Sequence, residues 1–463
     1  MAANSTTRRL PGLSLLLMLA AGGILCPELA RAAEPAYVLG ADISFVQQRE
    51  AEKVKYAHND TVMDMFTILK KNKFNYIRLR LFVDPTAKVP EDKPNSSGWS
   101  ASPYSAAGYC GLDSTVKMAK RVKAAGMGLL LDFHYSDTWA DPSKQYKPVS
   151  WRNLTTLAQV AEKVRSYTKE SLQAFKAAGA LPDMVQVGNE VVGGMIHPDG
   201  RDNGANFATL VNAGIKGVKD VDPNIKIMMH TINERNPNGW VQTLKTNLNK
   251  VEANAANKID VIGLSYYPMW HGNVDSLKRS LTAIANNHSY KVAVAEYADK
   301  HREVNDVVFA LPANKRLGTF VWEPEEFEGD NSLPLFDWSK KNNRRETNTR
   351  MALYPVMAVA YGIGGDGDGG HTDVINTDTD KRSHVSIQTF SITRGGMVYY
   401  NSDVPGVITV YGINGRVLGK IRVDKAGLYD MGRLLTSGVS GVYMLSIESN
   451  DGKKVGRLIK SNN

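Results

Sequence analysis

Two glutamates stand directly after apolar runs that are typical of buried strands, and carboxyls in such places can carry acid–base or nucleophilic chemistry. Glu190 closes the segment Gln186-Val187-Gly188-Asn189-Glu190. Glu296 follows the apolar run 292–295, where a charge is costly unless it is paired or functional. At one end of a barrel, two such carboxyls suit the acid and the nucleophile of a retaining glycosidase, which lie about 5 Å apart. Taken alone, the Asn189-Glu190 dipeptide is better explained by a structural capping role.

Aromatic and polar side chains follow three further apolar runs. They are His134, Asp137 and Trp139 after one run, Tyr266, Tyr267 and Trp270 after the second, and Trp322 after the third. Aromatic rings stack on the apolar faces of sugars, and polar groups hold their hydroxyls, so these loops predict a carbohydrate cleft. The alternative is burial beneath loops. We favour burial for Tyr267 and Phe133, and function for the three tryptophans.

Two arginines, Arg78 and Arg80, are spaced by two residues and therefore share one face of a strand. If that face is inward, one of them can keep the Glu296 carboxyl ionised. Glu190, facing that negative charge in a partly desolvated cleft, is then expected to keep its proton nearer neutrality.

The elements that position these residues alternate short apolar runs with longer amphipathic stretches. Strands are predicted at 37–42, 76–81, 128–133, 184–187, 225–229, 261–265, 292–295 and 319–322. Helices are predicted at 61–71, 112–125, 154–177, 207–218, 277–286 and 354–361. The pattern predicts an α/β fold, a (β/α)8 TIM barrel whose chemistry lies on the loops after the strands. A doubly wound open sheet is the alternative, but no Gly-x-Gly-x-x-Gly follows the first strand.

Three segments flank the predicted catalytic domain at 33–363. Residues 1–32 are typical of a secretory signal peptide, with Arg8-Arg9, an apolar run at 13–25 and the small-x-small site Ala30-Arg31-Ala32. The run is too short for a membrane anchor, so we expect a secreted or cell-surface protein. Residues 364–385 form a Gly/Asp-rich linker by composition, and 386–463 predict a small all-β module with hairpin signals at Asn414-Gly415 and Asp451-Gly452.

Charge and cysteine content exclude several classes of function. The 463-residue chain carries a formal +9, of which the signal accounts for +2 and the last 78 residues for +5. Only +2 remains for the large middle part, and no zinc-finger, RNP or P-loop pattern is present, so we expect no nucleic-acid partner. After signal removal Cys110 is the only cysteine, which excludes an intramolecular disulfide. The Asp-Gly alternation of the linker resembles a calcium loop but lacks the closing Glu, so a solvated linker is preferred.

The chain resembles glycoside hydrolase family 53, the endo-β-1,4-galactanases. The segments that carry the resemblance are 40–44, 75–81, 132–142 with 145–151, 186–190, 260–272 and 318–324. The resemblance implies that Glu190 is the acid/base, Glu296 the nucleophile, and Asn189 the ligand of the sugar 2-hydroxyl. It further implies that Tyr266 and Arg78 or Arg80 orient the nucleophile. The residues that would line subsites are His134, Asp137, Trp139 and Trp322.

Departures from the family pattern concern subsites rather than the two glutamates. Ile196-His197-Pro198 stands where many members have Leu-Trp-Pro, and Tyr297-Ala298-Asp299 where Thr-Ala-Tyr-Pro is commoner. Some bacterial members bind calcium near the end of the barrel. No ligand set for it is matched here, so we expect no cofactor and leave calcium unassigned.

The ending 441–445 and 454–460 resembles a type IX secretion sorting domain, which implies the secretion machinery as a partner. A carbohydrate-binding module is the rival, and the absence of Trp from the module disfavours it.

The expected function is retaining endo-hydrolysis of β-1,4 linkages in galactan or arabinogalactan. Two other interpretations stay open: a related barrel hydrolase acting on mannan or another β-1,4 glycan, and a non-catalytic glycan-binding protein. A binding protein would usually lack one of the two glutamates, and both are present.

Overall fold

A computed structural model of the chain describes most of the predicted catalytic domain and the strands of the C-terminal part. The described residues are Met1, 35–88, 103–252, 259–326, 333–339, 343–348, 350–361, 363, 392–393, 397–400, 406–412, 417–423, 427–430, 441–449 and 452–460. The predicted signal peptide, the linker and both hairpin signals therefore lie wholly or largely outside the described residues.

Eight parallel strands close into a barrel, which confirms the predicted fold class. Their bounds are Val38–Asp42, Tyr76–Leu81, Gly128–Phe133, Met184–Val187, Lys226–Ile232, Val261–Tyr266, Lys291–Tyr297 and Arg316–Trp322. They neighbour one another in chain order, and the eighth pairs with the first. The largest differences from the predicted bounds are three residues: the fifth strand runs on to Ile232 past the predicted end at Met229, and the eighth begins at Arg316, before the predicted start at Thr319.

A helix lies at each of the six stretches predicted to be helical, and the described residues contain four more that were not predicted: Val46–Ala51, Pro237–Val251, Pro268–His271 and His301–Phe309. In chain order, the bounds of these helices are Val46–Ala51, Met65–Lys71, Leu112–Ala124, Leu157–Ala177, Ala205–Lys219, Pro237–Val251, Pro268–His271, Val274–Asn287, His301–Phe309 and Leu353–Ala360. Two single turns of 3-10 helix occupy Val149–Trp151 and Val191–Gly193. The helix at Leu157 begins later than predicted because Thr156 and Gln159 form a capping box. None of the described helices is long and apolar enough to cross a membrane.

A small sheet beside the barrel corrects one helix prediction. Its strands are Phe336–Ser339, Arg344–Thr347, Lys55–His58 and Thr61–Val62. The predicted helix at 61–71 therefore starts only at Met65, where the Asp64 side chain accepts a hydrogen bond from the Thr67 amide. The two-residue strands Gly194–Met195 and Gly200–Arg201 form a separate hairpin.

The barrel lumen is apolar at one end and charged at the other, as the two-residue period of a strand requires. Apolar side chains fill the lower layer, including Val38, Tyr76, Leu130, Met184 and Met228. Continuing along the same faces, the upper layer consists of buried polar residues: Asp42, Arg78, Arg80, Asp132, Gln186 and His230. The polar and charged side chains of the lumen therefore lie toward the carboxyl ends of the strands.

The C-terminal strands form two antiparallel sheets. One consists of Ile392–Thr393, Met397–Tyr400 and Gly427–Asp430, and the other of Gly406–Gly412, Val417–Val423, Gly441–Ser449 and Gly452–Lys460. The small all-β part of the predicted fold class is therefore confirmed.

Candidate active site

Glu190 lies just past the fourth barrel strand on a backbone that few residues adopt. Gly188 has φ 87°, and Glu190 itself has φ 46° and ψ 46°, in the left-handed region. A side chain at Gly188 would approach Val191 to 2.6 Å, so glycine is required there. The Gln145 amide holds the turn by donating to the Asn189 carbonyl at 2.8 Å. Left-handed conformations of non-glycine residues cluster at functional sites. In this chain the left-handed residue is Glu190 itself, three residues past the end of the fourth strand at Val187.

Glu296 faces the lumen because the seventh strand contains a β-bulge. Ala293 and Ala295 both belong to the lumenal core, so simple alternation would turn Glu296 outward. The register with the sixth strand, however, shifts from Leu264↔Val294 to Ser265↔Glu296. One extra residue on the seventh strand brings the next side chain onto the inner face.

Arg78 links this carboxyl to the rest of the upper layer. Its guanidinium lies 2.9 Å from Glu296 Oε1, 2.9 Å from Asp42 Oδ2 and 2.8 Å from Asp132 Oδ2. It also donates to Asn189 Oδ1 at 2.8 Å. Of the two arginines considered for this role, Arg78 is the one that contacts Glu296, and its side chain is fully buried.

The tyrosine beside Glu296 is Tyr267, which corrects the expectation for Tyr266. The Tyr267 hydroxyl donates to Glu296 Oε2 at 3.2 Å. Tyr266 belongs to the core outside the barrel wall, and its hydroxyl has no hydrogen-bond partner among the described residues. The reason is alternation: Val261 faces the lumen, so Ser265 and Tyr267 face inward and Tyr266 outward.

Arg80 is fully buried and stands behind a pair of tryptophans. It contacts Glu323 and Asp42, and its guanidinium carbon lies 4.5 Å from the Trp139 ring and 4.9 Å from the Trp322 ring. The two indoles are half-buried, with centroids 5.9 Å apart. Arg80 therefore supports a tryptophan wall from within, whereas the indoles themselves are open to a ligand.

His134 and Asp137 are placed deeper than the sequence suggested. His134 Nδ1 accepts from the Ala140 amide at 3.0 Å, and Nε2 lies 3.0 Å from Asp132. Asp137 accepts from the backbone amides of Asp84 at 3.0 Å and Val149 at 2.7 Å. Both carboxyl oxygens of Asp137 are thus engaged by loop backbone. Contrary to the expectation that it lines a subsite, Asp137 joins two loops, and burial raises its pKa to about 6.

Trp270 is the exposed member of the aromatic set. It lies on the short helix Pro268–His271, its side chain is 62% exposed, and its ring centroid is 5.5 Å from that of Tyr267. Its indole ring is therefore exposed at the rim. Phe133 is fully buried, as the sequence favoured.

Sequence reasoning missed His230 and Ser265. His230 Nδ1 lies 2.9 Å from Asn189 Oδ1, and Nε2 lies 2.9 Å from Ser265 Oγ. The predicted fifth strand stopped at Met229, so His230 was left outside it. The signal that identified Glu296, a polar residue directly after an apolar run, also applied to His230.

The electrostatics separate the two glutamates. Burial raises the pKa of Glu190, and the facing charge of Glu296 raises it further. Burial also raises the pKa of Glu296, but Arg78 lowers it. The two carboxyls differ in one geometric respect, since the Arg78 guanidinium forms an ion pair with Glu296 at 2.9 Å, which opposes the effect of burial there. The expectation that an arginine simply keeps Glu296 ionised was incomplete, because desolvation works against Arg78. A third buried carboxyl, Glu323, has its pKa raised to about 7 by burial, with Arg80 opposing the shift.

No group of three or more His, Cys, Asp or Glu side chains in the described part of the chain is arranged to hold a metal ion. The polar centre is instead organised by arginines, amides and carboxyls. A closed parallel barrel whose strand ends carry two buried glutamates, one of them paired with an arginine, under a tryptophan wall defines a barrel glycoside hydrolase.

Comparison with known proteins specifies the family. The model of glycosyl hydrolase family 53 matches residues 38–306, and the chain belongs to this family. It is 36% identical to the endo-beta-1,4-galactanase of Bacillus subtilis (strain 168), over 56% of this chain and 56% of that protein. It is 34% identical to the arabinogalactan endo-beta-1,4-galactanase of Humicola insolens, over 56% of this chain and 72% of that protein. The solved Ignisphaera aggregans GH53 catalytic domain superposes with a TM-score of 0.55 at 30% identity, over 70% of this chain and 97% of that one.

Proposed function

We propose that this protein is an endo-β-1,4-galactanase that hydrolyses galactan or arabinogalactan with retention of configuration. The observation that carries the proposal is the pair Glu190 and Glu296 at the strand ends, with Arg78 against only the second of them. The family-53 relatives from Bacillus subtilis and Humicola insolens are galactanases, which supports galactan as the substrate.

In the first step, Glu296 attacks the anomeric carbon and forms a glycosyl ester, while Glu190 gives its proton to the departing glycosidic oxygen. In the second step, Glu190 takes a proton from water, whose oxygen displaces Glu296 at the anomeric carbon. Tyr267 and Arg78 orient and stabilise the Glu296 carboxylate. Asn189 is suited to hold the 2-hydroxyl, because Arg78 and the Ala140 carbonyl fix its amide plane.

The tryptophan wall and Trp270 suit the binding of sugar rings on either side of the cleavage point. Trp139 and Trp322 offer half-buried faces near Arg78 and Arg80, whereas Trp270 stands at the rim beside Tyr267. A row of open aromatic faces favours a polymeric substrate and cleavage within the chain.

The experiment that tests the substrate is reducing-sugar release from potato galactan, compared with mannan, xylan and cellulose. Galactan should be the preferred substrate, with internal cleavage giving a rapid fall in viscosity. Preference for mannan or another β-1,4 glycan would favour the neighbouring barrel hydrolases. Absence of hydrolysis with retained galactan binding would favour a glycan-binding protein.

The configuration of the product tests the mechanism. A retaining glycosidase holds its two carboxyls about 5 Å apart, which leaves no room for a water between base and sugar, so we expect early hydrolysis followed by NMR to show the β-anomer first. Initial release of the α-anomer would identify an inverting enzyme instead.

We further propose that residues 1–32 direct export and that the β module at 386–463 serves sorting or attachment at the cell surface after the linker 364–385. The signal composition and the antiparallel sheets support these assignments. A chain that lacks 386–463 should show a smaller secreted or surface-attached fraction in the native host, while galactan cleavage by the purified protein should be unchanged. Galactan binding by the isolated module would favour the carbohydrate-binding alternative.

A further inference from the structure

The turn after the sixth barrel strand carries the tyrosine that contacts Glu296. Tyr267 directly follows the strand, which ends at Tyr266, and its hydroxyl donates to Glu296 Oε2 at 3.2 Å. That distance is at the long end of the range for a hydrogen bond between two oxygens, so a small further displacement would break the bond. Tyr267 is also only half-buried. The position of its hydroxyl therefore depends on how firmly the backbone of the turn is held.

His271 closes this turn onto Tyr267. The His271 ring nitrogen Nδ1 accepts from the Tyr267 backbone amide at 3.0 Å, and the His271 backbone amide donates to the Tyr267 carbonyl at 2.9 Å. Burial lowers the pKa of His271 to about 4, so the imidazole is neutral near neutral pH. A neutral imidazole that accepts at Nδ1 carries its proton on Nε2. One residue thus engages both polar groups of the Tyr267 backbone, the amide with its ring and the carbonyl with its own backbone.

Asn233 ties the far end of the turn to the barrel. It directly follows the fifth strand, which ends at Ile232, and it is buried. Its side-chain amide donates to the His271 carbonyl at 3.0 Å, and its backbone amide donates to the Ser265 carbonyl at 2.8 Å. The His271 backbone is therefore anchored to the ends of two neighbouring strands, so its ring can hold the Tyr267 amide at a fixed place.

We propose that His271 is a positioning residue that keeps the Tyr267 hydroxyl against Glu296. This inference rests on the proposed role of Glu296 as the nucleophile. Because His271 acts through Tyr267, its removal should cost no more kcat than removal of the Tyr267 hydroxyl itself.

The other charged groups around Glu296 lie on elements that the turn does not hold. They are Asp42, Arg78 and Asp132 on the first three strands, and Glu190 after the fourth. The titratable group that faces His271 from the fifth strand is His230.

The test combines His271→Ala with the kinetics of galactan hydrolysis. The kcat should fall about tenfold, as expected for loss of one hydrogen bond to Glu296. Donation from Tyr267 lowers the pKa of Glu296, so the acidic limb of kcat/KM should move to higher pH by about 0.5–1 pH unit. In a Tyr267→Phe background the same change should lower kcat by less than about threefold, because the contact it acts through is already absent.

Two conservative variants separate the Nδ1 contact from the bulk of the side chain. The side-chain oxygen of His271→Asn is as many bonds from the backbone as Nδ1 and can accept the Tyr267 amide, whereas that of His271→Gln lies one bond further out. We expect His271→Asn to recover most of the kcat and the wild-type acidic limb, and His271→Gln to behave like His271→Ala. If His271→Ala does not fold, this pair carries the test.

His288→Ala is the matched control. His288 is also buried, but it precedes the seventh strand at the opposite end of the barrel, where its Nε2 lies 2.9 Å from Asn238 Oδ1. This variant should keep the wild-type kcat and acidic limb. An acidic limb that stays in place in His271→Ala, or a full tenfold loss in the Tyr267→Phe background, would overturn the proposal. Full galactan activity in Glu296→Ala would instead refute the proposed function itself, whatever the His271 variants do.

Discussion

Replacing Arg78 tests the electrostatic reasoning most directly. Three buried carboxyls lie within 2.9 Å of its guanidinium: Asp42, Asp132 and Glu296. Burial opposes ionisation of Asp132, but Arg78 and His134 outweigh it and hold its pKa below the ordinary value. Removing one partner of a buried ion pair typically costs about 3–5 kcal/mol. We therefore expect Arg78→Met to lose roughly that much free energy of unfolding near neutral pH.

The catalytic consequence has a definite sign. Arg78 lowers the pKa of Glu296, so its loss raises that pKa, and the acidic limb of kcat/KM should move to higher pH by about 1–3 pH units. At a pH below that limb, moving the limb up by about one pH unit lowers kcat/KM by a further factor of about ten. Arg78→Lys keeps the charge but lacks the planar fork that reaches several acids, so its limb should move less.

The assay is the pH profile of galactan hydrolysis together with denaturant unfolding of each variant. Arg121→Met provides the matched comparison, because its pair with Glu50 at 2.6 Å is partly exposed. That variant should lose less than about 1 kcal/mol and keep the wild-type profile. An acidic limb that stays in place in a folded Arg78→Met protein, which lacks the charge, would refute the assignment of Arg78 as the cation that holds Glu296 ionised.

Four further outcomes are expected. Glu190→Gln should lose nearly all activity on galactan yet retain it on an accepted aryl galactoside with a good leaving group, and equal loss on both would contradict the acid/base role. Glu296→Ala should lose both activities, and added azide should restore turnover as a glycosyl azide of inverted configuration detectable by NMR; an azide of retained configuration would remove Glu296 as the nucleophile. Tyr267→Phe should lower kcat about tenfold because one hydrogen bond to Glu296 is lost, whereas Tyr266→Phe should match the wild type; the opposite ranking would reverse the tyrosine assignment. A chain stopped after Ile363 should remain folded and active in reducing-sugar assays, and loss of activity would mean that the β module completes the cleft.

The barrel itself was predictable because parallel strands buried on both faces leave apolar runs that few other structures produce. The bounds predicted at 76–81, 128–133 and 184–187 are those observed. The small sheet that pairs 55–58 with 344–347 could not be predicted from the sequence, because its strands are four residues long or shorter and half-exposed. They also come from distant parts of the chain. Local pattern carries no information about such a pairing.

The site was predicted at its carboxyls and less well at its supporting residues. Glu190 and Glu296 carry charge where a strand ends, which is a strong local signal. His230 carries the same local signal, but its contacts, like those of Asp42 and Asp132, depend on distances between different strands, which local pattern does not give. Arg80 and Asp137 illustrate the reverse error, because polar residues on the correct rim can face supporting contacts rather than the cleft.

The two neighbouring strands that meet at Glu296 show how far alternation can be trusted. In the sixth strand, counting by twos from the lumenal Val261 reaches Ser265 and then Tyr267, which is where the inward side chains are found. In the seventh, counting by twos from Ala293 reaches Ala295 and would exclude Glu296, yet Glu296 faces the lumen. The difference is the bulge, which adds one residue opposite Ser265 and reverses the parity from there on. A bulge costs ladder hydrogen bonds and is retained where it re-aims a side chain, and here the re-aimed side chain is the carboxyl that Arg78 and Tyr267 hold. Alternation of side chains therefore predicts which residues face the lumen in most of this barrel. The exception is in the seventh strand, where the bulge turns inward Glu296, the residue to which we assign the role of nucleophile.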